Sequence, residues 1–288
     1  MNTKRWSKSP CAWASLCVTL AIGAWGKDLA IERPSVQQME DGPIVETGYE
    51  FLSGETFYVS FRVSGFTLKE KEDEHQFMSL RYTCEAFDGA DVPLVAKHAA
   101  ASSVEVLAED KNWEPKFRWS FVIPEHAPGG RYRVVLWVKD ENSGAETRRM
   151  LNFNVRNREV EPSAELVLRN FGFFRTEDSP RPLETVVYRA GDPVWVRFDI
   201  AGYKLGEKNR LEVSYGVTVS GEDGKAVINQ PQAAVEKFES FYPRRWLPAG
   251  LRLDLPKDAK SGPFTLVVEV RDGLGGQKLE LRREFTVE

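Results

Sequence analysis

Histidine and cysteine are scarce: the chain has 288 residues and only three of each. His75, His98 and His126 lie 23 and 28 residues apart, with no H-x3-H or H-E-x-x-H spacing that would hold a metal. The chain also lacks a G-x-S-x-G elbow, a P-loop and a dinucleotide fingerprint. The expectation is a protein that is not an enzyme, with no catalytic residues, no metal and no cofactor. Charge of one sign is missing too. With 39 basic and 43 acidic residues the net charge is −4, too mild and of the wrong sign for a nucleic-acid binder. Long apolar runs are absent apart from one near the start, so no membrane span is expected in the rest of the chain.

That one run belongs to a targeting segment. Lys4, Arg5 and Lys8 precede Cys11–Ala24, 14 residues without a charge, and Ala24-Trp25-Gly26 supplies a small-x-small cleavage site. Residues 1–26 therefore read as a signal peptide. The run is shorter than the roughly 20 residues of a membrane-spanning helix, and no small residue stands before Cys11 or Cys17 to mark a lipoprotein. The mature protein is expected to be periplasmic or secreted. Cleavage takes three positive charges and leaves −7. It also leaves Cys84 without a partner for an internal disulfide. Cys84 alternates with Leu80, Tyr82 and Ala86, which reads as a small buried hydrophobe and not a reactive thiol.

The rest of the chain is an internal duplication. Residues 51–66 align with 188–203 at an offset of 137, bringing Gly54 onto Gly191, Phe61 onto Phe198 and Gly65 onto Gly202. Asp88-Gly89 meets Asp223-Gly224 at 135, and Trp113-x-Pro115 meets Trp246-x-Pro248 at 133. Pro124, Gly130, Tyr132, Asp140 and Gly144 meet Pro256, Gly262, Phe264, Asp272 and Gly276 at 132.

Both copies carry the period of strands. Phe57, Val59, Phe61 and Val63 alternate, as do Val194, Val196, Phe198 and Ile200. Turn signals such as Ser53-Gly54, Pro128-Gly129-Gly130 and Gly275-Gly276 separate the runs. The 91–112 region is ambiguous: Ala96 and Ala99–Ala101 suit a short helix, while Val104 and Val106 alternate. Short strands with regular turns predict an all-β fold of two tandem β-sandwiches. A Pro, a Gly turn, then aromatic-x-apolar-x-apolar-x-Val-x-Asp resembles the closing strands of bacterial immunoglobulin-like modules. Fibronectin type III-like and macroglobulin-like domains share this pattern. The resemblance implies immunoglobulin-like domains over 27–156 and 164–288, with 157–163 as linker. It implies binding, adhesion or scaffolding roles and names no partner.

Aromatic side chains are the strongest functional lead. The loop Phe241, Tyr242, Pro243, Arg244 and Arg245 has no counterpart in the first copy, so the shared fold does not explain it. Phe241 and Tyr242 offer planar faces, and Arg244 and Arg245 offer forked donors. These four residues form the candidate ligand site. Trp113 and Trp246 recur at matched positions and read as structural, closing the sandwich ends. Phe171, Phe173 and Phe174 read as packing at the domain junction or an edge. Asp140 and Asp272 end matching strands, where a carboxylate caps a turn more readily than it binds a ligand. The mixed-charge run Glu70–Glu74 reads as an exposed loop. The function expected is a non-catalytic exported binding or scaffold protein whose partner is a protein or a cell-surface polysaccharide. A carbohydrate-binding accessory module is the alternative, and a periplasmic chaperone the remaining one.

Overall fold

The computed structural model describes residues 27–46, 48–70, 75–107, 109–110 and 112–288. Residues 1–26, expected to be a signal peptide, and most of the Glu70–Glu74 run lie outside them. The described residues are all-β, and every strand ladder closes within one copy of the repeat. In the first copy β1 (Ala30–Gln37), β3 (Thr56–Ser64) and β7 (Lys116–Val122) form a three-stranded sheet. Facing it is a six-stranded sheet of β2 (Glu50–Leu52), β9 (Glu146–Arg156), β8 (Gly130–Asp140), β5 (Gln76–Phe87) and β4 (Lys69–Glu70), with β6 (His98–Glu105) along β5. The second copy repeats the plan. One sheet holds β10 (Val167–Phe174), β12 (Pro193–Ala201) and β15 (Trp246–Asp254). The other runs β11 (Val187–Tyr188), β17 (Lys278–Val287), β16 (Gly262–Asp272), β13 (Leu211–Gly221) and β14 (Ala226–Phe238). These are two immunoglobulin-like β-sandwiches.

Alternation builds each core. Phe57, Val59, Phe61 and Val63 on β3 meet Leu80, Cys84, Leu136 and Val138 from the facing sheet. Val194, Val196, Phe198 and Ile200 on β12 meet Val213, Val217, Leu266 and Val268. Full burial of such side chains contributes about 1.5–3 kcal/mol each. Cys84 is among them, as its pattern predicts, and burial pushes its thiol up to about 12. Ala99–Ala101 lie in strand β6, so these alanines do not take the helical option. Phe173 points into the second sandwich and Phe171 packs against its core, while Phe174 is covered from the other face by Arg197; all three lie on the edge strand β10, the second of the two expected places.

The backbone repeats more closely than the sequence suggests. β1 and β10 carry a bulge at the same place, with Arg33 and Asn170 at φ 46 and 50. Gly65 and Gly202 sit at φ 73 and 79, each pressed against a carbonyl, that of Asp28 or Glu165, that leaves no room for a Cβ. Two of the sequence matches are nonetheless displaced. Val63 pairs with Pro115 through a β3–β7 hydrogen bond, and Ile200 pairs with Leu247. Trp246 therefore corresponds to Glu114, not to Trp113. One residue of slip turns a side chain to the other face: Trp246 stands opposite the core-facing Leu247, Ala249 and Leu251 and is buried by Arg158 and His126, while Trp113 is 37% exposed. Likewise the turn hydrogen bonds Asp88 N–Val92 O and Gly221 N–Lys225 O are equivalent, so Asp88 corresponds to Gly221 rather than Asp223.

Candidate functional site

The aromatic-basic loop between β14 and β15 is stiffened from its own side. Asn209 Nδ2 donates to the carbonyls of Ser240 and Phe241 at 3.2 and 2.6 Å. Ser240 Oγ donates to Tyr242 O at 2.8 Å, and Tyr203 Oη to Arg244 O at 2.7 Å. The loop does not project into solvent as a whole. Tyr242 is only 5% exposed and joins the core cluster of the first sandwich. Its hydroxyl donates to Asp88 Oδ2 at 2.8 Å. Asp88 is itself buried, and its Oδ1 accepts the N–H groups of Ala90 and Val92, both at 2.8 Å. Arg245 Nη2 lies 4.0 Å from the same carboxylate. Burial first, then the hydrogen bond to Asp88, holds the Tyr242 hydroxyl far above its ordinary value, so it remains a donor. Tyr132, buried beside it and near the Asp88 charge, is pushed up to about 12.

A second cluster completes the junction. The Trp246 ring lies 5.0 Å from that of His126, and the Arg158 guanidinium stands 4.6 Å above it. Arg158 Nη2 also pairs with buried Asp199 Oδ1 at 2.6 Å, while Asn170 Nδ2 donates to the other oxygen at 2.7 Å. Asn157 Nδ2 donates to Ala127 O at 2.7 Å, tying the same linker to the first sandwich. Burial, and then the charge of Arg244, depress the His126 imidazolium, with Arg158 adding to the effect.

The four predicted site residues thus separate. Tyr242 does not offer a planar face to a ligand: burying its ring against the first sandwich, with its hydroxyl on Asp88, is the lower-energy use of an amphipathic side chain. Phe241 is 56% exposed and Arg245 remains on the surface. Arg244 is half-buried, its guanidinium 4.3 Å from the Phe238 ring centroid. His126 lies in a loop turn, half-buried against the Trp246 ring. Asp88 and Asp199 were not legible as junction residues, because their partners lie 154 and 41 positions away. Asp140 and Asp272 are turn clamps. Asp140 accepts N–H groups of Thr67 and Asn142 at 2.8 and 3.0 Å; Asp272 accepts those of Lys204 and Leu274 at 2.9 and 3.0 Å.

The place that Tyr242 fills in the first sandwich has an open counterpart in the second. A cavity of about 660 Å³ is lined by the turn 221–227 and by Pro256, Asp258, Ala259, Gly262 and Phe264. By strand register these correspond to the Asp88 turn and to Pro124, His126, Ala127, Gly130 and Tyr132. The acceptor position is Gly221, while Glu222, Asp223, Lys225 and Lys260 line the same cavity.

Neither the protein-family models nor the curated proteins include a match to this chain. Among solved structures, the C-terminal domain of the Streptococcus agalactiae AgI/II polypeptide BspA is 10% identical, with 89% of this chain and 100% of that one covered, at a TM-score of 0.31. The corresponding domain of the Streptococcus pyogenes antigen I/II-family protein AspA is 10% identical over 90% and 99%, at 0.29. Native E. coli alpha-2-macroglobulin is 10% identical over 92% of this chain and 17% of that one, at 0.28. At such scores these likenesses carry no argument about function.

Proposed function

We propose that this chain is a non-catalytic, exported binding or scaffold protein that works through protein–protein contacts. In this reading the second sandwich offers a partner the same place that the first offers to Tyr242. The observation that carries it is the equivalence of the open cavity at residues 221–227 and 256–264 with the filled junction of the first sandwich. A fold that docks a neighbour at one end of one copy has the walls for a second docking at the same end of the other. Mixed Lys and Asp at the rim suit a polar protein surface with one inserted side chain.

Rim substitutions test it. Val227→Arg and Ser261→Arg fill the cavity mouth from exposed positions, and melting should be unchanged. A partner cross-linked to the parent in its native compartment should be lost from both variants and retained by Phe241→Ala. Retention by both rim variants rejects the reading. The carbohydrate alternative rests on exposed Phe241 beside Arg245. It predicts polysaccharide binding that Phe241→Ala abolishes and the rim variants spare.

A further inference from the structure

The free edges of the sandwiches are not alike. β1 and β10 carry bulges, with Pro34 in the first. β14 carries Pro231, two register shifts, and Glu236 and Lys237 near its end. β15 contains Pro248, and on β7 Lys116 and Arg118 form ion pairs with Asp41. These are the usual devices against edge-to-edge pairing. β6 has none of them between its ends, His98 and Glu105. From Ala99 to Val104 it reads Ala-Ala-Ala-Ser-Ser-Val, without proline, charge or bulge, in even register along β5. Among the described strands none pairs with its outer side.

The free backbone groups of β6 can be located. Val106 N donates to Gln76 O at 2.8 Å, so even-numbered residues of β6 bond to β5. The N–H and C=O groups of 99, 101, 103 and 105 therefore face outward. We infer that β6 is a dimerisation edge, pairing antiparallel with β6 of a second copy about a two-fold axis at Ala101. In that register Ala101 meets its own mate and Ala99 meets Ser103, each pair exchanging two backbone hydrogen bonds. Lys97 then stands opposite Glu105 at both ends. Registers centred on 100 or 102 lose this match. Lys97 and Glu105 lie on the outer face with small neighbours, so opposite charges meet across the new ladder and nothing bulky intervenes. The two large sheets become one continuous sheet. This inference does not depend on the cavity reading, since β6 belongs to the other sandwich.

Sedimentation of the whole protein at roughly 100 µM tests it. The parent should sediment as a dimer. Ala101→Pro removes an outward N–H and no native ladder bond, so it should melt like the parent and sediment as a monomer. Lys97→Glu should weaken the dimer roughly tenfold by setting like charges opposite each other at both ends. Adding Glu105→Lys should restore association. Restoration cannot arise inside one molecule, where Lys97 pairs with Glu85 and Glu105 with His75. A monomeric parent, an Ala101→Pro dimer of parental strength, or failure of the charge swap to restore association each overturns the inference.

Discussion

At the scale of single residues, buried carboxylates do the most specific work. Asp140 is inaccessible to solvent and gathers a hydroxyl and two backbone N–H groups around its oxygens. Burial raises its pKa, but the hydrogen bonds from Ser143, Thr67 and Asn142 outweigh burial and hold it below 3.8. A depressed carboxylate contributes stability that is complete above its unfolded value and lost as pH falls through the folded one. Asp140→Asn should therefore lower stability near neutral pH by about 1–3 kcal/mol. It should also flatten the loss of stability below about pH 4, as read from denaturant melts across pH. Tyr242 behaves as a structural residue on the same grounds. Tyr242→Phe leaves Asp88 Oδ2 without its phenol donor and should cost about 1–3 kcal/mol. A parental melting midpoint for that variant would mean the hydrogen bond contributes nothing.

At the scale of elements, register decides which residues matter. Trp246 begins β15 on the face opposite core residues Leu247, Ala249 and Leu251 and is covered at the junction by Arg158 and His126, whereas Trp113 precedes β7 and meets Phe66 at 6.2 Å while partly exposed. Trp246→Ala should cost about 3–5 kcal/mol, and Trp113→Ala much less. Thermal melts of the two variants separate them, and equal losses would refute the displaced match. Gly202 ends β12 at positive φ against the Glu165 carbonyl. Gly202→Ala should destabilise by more than roughly 1 kcal/mol, since both the backbone angle and the missing space oppose a Cβ.

At the scale of the whole molecule, the junction couples the two sandwiches. Tyr242 reaches from the second into the first, Arg158 braces the linker against Asp199 and Trp246, and His126 sits between Arg244 and Arg158. A histidine whose folded pKa is depressed favours the neutral form in the folded state. The stability it contributes is present above its ordinary 6.5 and declines as pH falls below that value. Acidification below 6.5 should therefore loosen the junction, seen as a larger radius of gyration in solution scattering. His126→Gln should remove that pH response. An unchanged radius in the parent across the range would refute it.

Alternation and turn chemistry are local properties, so the strands, the duplication, the all-β class and the buried Cys84 were all legible in the chain by itself. Asp140 and Asp272 were legible as turn caps for the same reason: most of their partners lie within a few residues. What the tertiary structure decided depends on groups far apart in sequence. That Trp246 corresponds to Glu114 and not to Trp113 follows from cross-strand hydrogen bonds, and a one-residue slip is invisible to a pattern of similar letters. Whether Tyr242 meets a ligand or its own chain depends on Asp88, 154 positions earlier, because only folding brings a buried acceptor to a phenol whose ring also needs cover. The open cavity in the second sandwich is a place rather than a motif, and it exists because the same loops that close on Tyr242 in one copy have nothing among the described residues to close on in the other.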